Sequence, residues 1–197
     1  AVFYGQPREV GNARLRGPRS TTVTVNNQDC LTAAEELIRS EPQAHVAVMN
    51  MANEFHPGGG WLAGAGAQEE NLHRRTNLCD HLSDHNRLLS RAPIRYPLPR
   101  KGGAFSPKVA VFRGAEAEGY PYLREPFLVS IVTVAAINRP RLTAHGRIND
   151  SDAQITKHRI RGMLRTARDA GVDHMVLSAL GCGAFRNPPE HIADIFR

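Results

Sequence analysis

Two apolar runs, Ala44 to Met49 and Asp173 to Leu180, each pass straight into a glycine-rich turn with helix-forming sequence beyond it. An apolar run of strand length without polar alternation suits a strand covered on both faces. Strands alternating with helices along a chain build a layered α/β domain. The sequence is thereby confined to that architecture, with both glycine turns at strand ends. Crevices beyond strand ends are where ligands bind in such sheets.

The remaining elements fit the same frame. Thr21 to Val25 is β-branched and reads as a short strand. Asp29 can cap a helix to about Ser40, with Leu31, Ala34, Leu37 and Ile38 on one face. Glu69 to about Leu89 reads as helix, broken near Ser83, and Lys108 to Phe112 and Phe127 to Val134 read as strands. Ser151-Asp152-Ala153-Gln154 has the capping-box pattern. It opens a helix with Ile160, Met163, Leu164 and Ala167 inward and Gly171 as its stop. Pro188 and Pro189 suit the first turn of a last helix, which Arg197 interrupts. The 197 residues are expected to form one domain, with 1–19 as a peripheral segment.

Hydrophobic content of 41% and charged content of 22% are those of a soluble globular chain. No apolar run approaches the roughly 18 residues of a membrane span. Three widely spaced cysteines, Cys30, Cys79 and Cys182, argue against a disulfide framework and for an intracellular, cytoplasmic setting. Since the sequence opens on Ala1, a leader peptide is not addressed by it. The net charge of +6 favours acidic partners. Its arginines are scattered (Arg14, Arg16, Arg19; Arg74, Arg75; Arg159, Arg161, Arg165, Arg168), without the aromatic interleaving of a single-strand binder. Those between 159 and 168 read as the solvated face of a helix.

The first turn holds the chemistry. It runs Gly58-Gly59-Gly60 and, after seven residues, Gln68-Glu69-Glu70. Glycines let backbone amides approach an anion, and amides at a strand–helix junction favour phosphate. The alternative is a pair of tight turns with no ligand. Neither turn carries the Walker lysine or a G-x-G-x-x-G setting, which disfavours ATP hydrolysis and hydride transfer.

The segment Asn50-Met51-Ala52-Asn53 followed by the glycine run resembles the macrodomain family, which binds ADP-ribose. Gly58-Gly59-Gly60 with Gln68-Glu69-Glu70 looks like the motif of poly(ADP-ribose) glycohydrolases, a catalytic macrodomain branch. Phe105 to Arg113, and Ser178 to Pro189 with its Gly181-Cys182-Gly183-Ala184-Phe185, are similar to the bacterial-type members. The resemblance covers residues 44–197 and implies a further helix and strand past Arg197. It implies a three-layer α/β/α sandwich around a mixed, mostly parallel sheet. It also implies hydrolysis of ribose–ribose O-glycosidic bonds in poly(ADP-ribose), with ADP-ribosylated proteins as carriers and without metal or cofactor. Membrane or direct nucleic-acid binding is not expected.

By the same resemblance, Glu70 is the general acid and Glu69 orients a ribose. Asn53 meets the distal ribose, Gln68 helps hold the glutamates and substrate, and Gly58, Gly59 and Gly60 offer their amides to the substrate pyrophosphate. Gly181, Cys182 and Gly183 cradle the diphosphate, Ala184 beside them binds substrate, and Phe185 packs on the terminal ribose. Asp29 falls near adenine by analogy. The acid must hold a proton near neutral pH, and a like-charged neighbour and the substrate diphosphate both favour that. Adjacent side chains diverge by about 100° in a helix, so the two glutamates cannot flank one bond as glycosidase pairs do.

Two other readings stand beside this one. The glutamates could form a solvated first helical turn, with Glu70 pairing Arg74 at i, i+4. The fold could also serve as a non-catalytic ADP-ribose-binding module, which would not need Glu70, or as a nucleic-acid binder. Cys79, His81 and His85 look faintly metal-like but lack a fourth ligand. No base marks Cys182 as a nucleophile. Trp61 either packs under the first turn or lines the substrate groove.

Overall fold

The computed structural model describes residues 1–4, 20–83 and 96–197. Five strands, β1 (Val2–Tyr4), β2 (Val46–Ala52), β3 (Gly103–Arg113), β4 (Tyr122–Ala135) and β5 (His174–Val176), form one sheet in the order β1-β3-β4-β2-β5. β2 runs parallel to both β4 and β5, whereas β3 is antiparallel to β1 and β4. The sheet is mixed as expected, but parallel pairing makes up half of it among the described residues, not most.

β2 shows why its sequence is apolar from Val46 to Met49. Val46 and Val48 enter one core with Leu31, Ala34, Leu72, Leu78 and Ile131. Ala47 and Met49 enter the other with Val132, Ile160, Met163 and Ile192. Successive strand residues face opposite sides, so a strand between two helical layers needs apolar residues at every position. The first layer holds α1 (Cys30–Ser40), α2 (Gln68–Arg75) and α3 (Leu78–Leu82), and the second α4 (Asp150–Asp169) and α5 (Pro189–Phe196). This is the α/β/α sandwich. Among the described residues no helix is long and apolar enough to cross a membrane.

Several local expectations are corrected. Thr21 to Val25 has no strand partner, and Val23 and Val25 are 81% and 93% exposed; β-propensity does not act without a surface to pack on. Asp173 to Leu180 pairs only over β5. The helix expected from Glu69 ends at Arg75, where Thr76 bridges to Val111 in β3. Helix resumes as α3 and stops at Ser83, near the expected break; residues 84–95, which include the end of that expected helix, lie outside the described residues, as do Arg14, Arg16 and Arg19. The cap of α4 is Asn149, whose side chain accepts the Asp152 amide, two residues before the expected Ser151. Leu164, expected inward, is 38% exposed.

Arg159 overturns the solvated-face reading of its helix at one position. It is buried, with Nη2 donating to Glu54 at 2.9 Å, Nη1 to the Ala135 carbonyl and Nε to the Arg100 carbonyl. A guanidinium can be buried where its fork finds a carboxylate and carbonyls together. Arg161, Arg165 and Arg168 are exposed as expected.

Candidate active site

Because β2, β4 and β5 run in parallel, the chain leaves all three at one edge of the sheet. That edge holds both glycine turns. The first is locked to α2 by Gln68. Its Oε1 accepts the Met51 amide at 2.9 Å and its Nε2 donates to the Met49 carbonyl at 2.6 Å, with Cys30 Sγ nearby at 3.6 Å. β5 pairs with β2 only as far as Val48, so the Gln68 carboxamide takes the place of a neighbouring strand just beyond. Gln68, expected to help hold the glutamates and substrate, has both its polar atoms on the protein and serves to place the two glutamates behind it.

All four glutamate oxygens accept backbone amides. Glu69 takes Asn53 N–H at 2.6 Å and Gly58 N–H at 3.0 Å. Glu70 takes Gly60 N–H at 3.0 Å and Ala67 N–H at 3.2 Å. Both residues are buried, at 4% and 8% exposure, so the solvated-turn reading fails. Arg74 does not pair with Glu70; it donates to the Trp61 and Ala65 carbonyls. Burial pushes the Glu69 carboxyl up to about 8, against the two amides and with help from the neighbouring Glu70 charge.

This geometry corrects the phosphate reading of the first turn. Gly58 and Gly60 give their amides to the carboxylates, and Gly59 gives its own to the His56 carbonyl. The glycines are needed for closeness instead. Gly59 sits at φ +54°, and a Cβ there would lie 2.5 Å from Glu70 Oε1. Trp61 packs under the turn, where a Cβ on Gly58 would meet its ring and that of His73. The two rings lie 5.9 Å apart.

The second turn is built differently. Gly181, at φ +74°, has no room for a Cβ beside Ala136 and Asn187. The buried Asn187 Nδ2 donates to the carbonyls of Ile137, Gly181 and Phe185, tying this turn to the chain leaving β4. The Cys182 amide is engaged with Ala179. The amides of Gly181, Gly183, Ala184 and Phe185 meet no acceptor among the described residues, so of the expected cradle only the Cys182 amide is taken. Phe185 is half-buried against the second core.

Asn53 has one polar group left for a ligand. Its Oδ1 accepts the Phe55 and His56 amides, which leaves Nδ2 as the group able to donate to a hydroxyl. Around Glu69 lie residues to which the sequence assigned no role. Asn50 is fully buried and donates to Thr133, and Tyr96 has its phenol held above the ordinary range by burial and by Glu69. His73 Nδ1 donates to the Glu69 carbonyl, and burial lowers the pKa of its ring. A buried polar residue in a strand or helix is visible only once its neighbours are known.

The family described as microbial-type PARG, catalytic domain, where PARG is poly(ADP-ribose) glycohydrolase, matches residues 2–114. The chain belongs to this PARG family. It is similar to the PARG of Thermomonospora curvata bound to the inhibitor ADP-HPD, at 34% identity and a TM-score of 0.71. That match covers 87% of this chain and 63% of the other. It is also similar to the PARG of Deinococcus radiodurans in complex with ADP-ribose, at 30% identity and a TM-score of 0.71 over 92% of this chain and 71% of that one. The chain thus spans less than two thirds of the Thermomonospora PARG. No curated protein matches it.

Other candidates separate from the PARG-like site. Asp29, placed near adenine by analogy, caps α1 through Oδ1 and pairs Arg75 through Oδ2 at 2.8 Å. Burial pushes its carboxyl upward, but the Thr32 amide and Arg75 outweigh that and leave it below its usual range. Cys79 and His81 gain no third ligand among the described residues, and His85 lies outside them.

Proposed function

We propose that this chain hydrolyses the ribose–ribose O-glycosidic bonds of poly(ADP-ribose), releasing ADP-ribose and so reversing ADP-ribosylation on carrier proteins. The observation that carries the reading is the Glu70 carboxyl, held out of bulk solvent by two amides at the sheet edge that also bears the free amides of the second turn. Family membership and relatives bound to ADP-ribose or ADP-HPD support it.

In this mechanism the amides of Gly183, Ala184 and Phe185 hold the diphosphate, and Phe185 packs on the terminal ribose. Asn53 Nδ2 and Glu69 orient the distal ribose. Glu70 gives its proton to the 2′-oxygen as the bond from that oxygen to the anomeric carbon breaks. An oxocarbenium-like centre forms, water adds to it, and the water's proton returns to the Glu70 carboxylate. One group can serve both steps because it is a base once its proton has left. We place this activity inside the cell, in keeping with the free thiols Cys30, Cys79 and Cys182.

The test is Glu70→Gln, which keeps an acceptor for Gly60 while removing the proton. Chromatography of products from defined polymer should show turnover reduced by about 10²- to 10⁴-fold. ADP-ribose binding should persist. A Glu70→Gln protein that still releases ADP-ribose at the parent rate excludes the role.

A further inference from the structure

Four non-glycine residues among those described have left-handed backbone: Lys108, Tyr120, Arg139 and Arg186. Two of them meet at the second turn. The Arg139 amide donates to the Phe185 carbonyl at 2.8 Å, in the peptide that joins Phe185 to Arg186, so the two arginines stand side by side. Arg139 has φ 49° and Arg186 φ 55°, a conformation that a long side chain adopts only when the surroundings impose it. Both are exposed. Nearby arginines are paired, Arg141 with Asp152 and Arg147 with Asp194, but neither Arg139 nor Arg186 has a carboxylate partner among the described residues.

Phe185 divides two kinds of donor. The free amides of Gly183, Ala184 and Phe185 lie on its N-terminal side, and its carbonyl side meets the backbone of both arginines, Arg186 as the next residue and Arg139 through its amide. Amides at a turn suit one pyrophosphate in the crevice. Flexible, solvated arginines suit a phosphate outside it, since their forks match its oxygens. A polymer of ADP-ribosyl units carries a second pyrophosphate beyond the terminal one.

We propose that Arg139 and Arg186 form a subsite for the pyrophosphate of the neighbouring ADP-ribosyl unit, and so set a preference for polymer over short substrates. The inference rests on the glycohydrolase reading of the adjoining cleft. The subsite holds the chain in register and takes no part in proton transfer.

Arg139→Gly, Arg186→Gly and the double variant test it, because glycine accepts this backbone conformation and leaves the turn intact. Arg161→Ala with Arg165→Ala, two exposed arginines of α4, serves as the charge-matched control. The KM for long polymer should rise by about threefold to tenfold per arginine and more steeply at low salt. The kcat and the Kd for free ADP-ribose should hold. A rise no larger than that of the control overturns the subsite. So does an equal loss of ADP-ribose affinity, which would assign both arginines to the terminal pyrophosphate. Polymer binding is measured in parallel in the Glu70→Gln background. Absence of turnover in the parent would then remove the glycohydrolase reading while the subsite is still tested by binding.

Discussion

Glu70 Oε1 accepts the amide of Gly60 at 3.0 Å, from ten residues further along the chain and across the width of the glycine turn. Glu69 makes the equivalent contact to Gly58. The two carboxyls therefore shape the turn as well as supplying its chemistry, and the turn in turn fixes where each carboxyl lies. Changes to either side of this clasp have consequences that can be measured.

Burial raises Glu69 to about 8, above the ordinary carboxyl value near 4.3 that the unfolded chain would show. The folded state thus holds a proton that the unfolded state releases. Stability from this source is present below the unfolded value and is lost as pH rises from about 4.3 through 8. Glu69→Gln removes the titration. Chemical denaturation at pH 5 and pH 8.5 should show the parent losing a few kcal/mol more than the variant over that interval. Equal pH dependence in the two proteins would contradict the raised value.

Gly59→Ala places a methyl group 2.5 Å from Glu70 Oε1 at a positive φ. The carboxyl and the turn would have to part. A loss of about 1–3 kcal/mol in stability is expected, with a drop in kcat at least as large as for a conservative change elsewhere in the turn. Thermal melting and polymer hydrolysis read the two effects separately.

Gln68→Leu keeps the volume of the side chain and removes both bonds to β2. The Met49 carbonyl and Met51 amide lose their partners, which costs about 1–3 kcal/mol each when they stay buried. Since α2 is then free to shift, kcat should fall while the Kd for ADP-ribose, held by the second turn, changes little. A fall in affinity with unchanged kcat would return Gln68 to the substrate.

Asn187→Ala releases three carbonyls of the second turn and the chain after β4. ADP-ribose affinity should fall by about tenfold or more because the free amides lose their alignment. Calorimetric titration with ADP-ribose measures it, and circular dichroism checks that the sheet is retained.

The sequence by itself determined the layered architecture, because most of β2 and the second half of β4 are apolar and the segments between strands carry helical periodicity. It also singled out the glycine triplet and the glutamine–glutamate–glutamate run as parts of one site, since a motif at fixed spacing is a local pattern. Asp29 and Gly171 marked helix ends for the same reason: capping is a matter of a few neighbouring residues.

Tertiary structure decided how those residues are used. Whether an amide faces a phosphate or a carboxylate depends on what folds back over it, and for Gly58 and Gly60 that is α2. Thr21 to Val25 failed as a strand because no neighbour came to pair with it, and Arg159 left the solvated face because Glu54 and two carbonyls met it inside. The pairing of Arg139 with Arg186 joins positions 47 residues apart, through a single bond between turns at the ends of different strands. Partners so distant along the chain are chosen by packing, which no local pattern encodes.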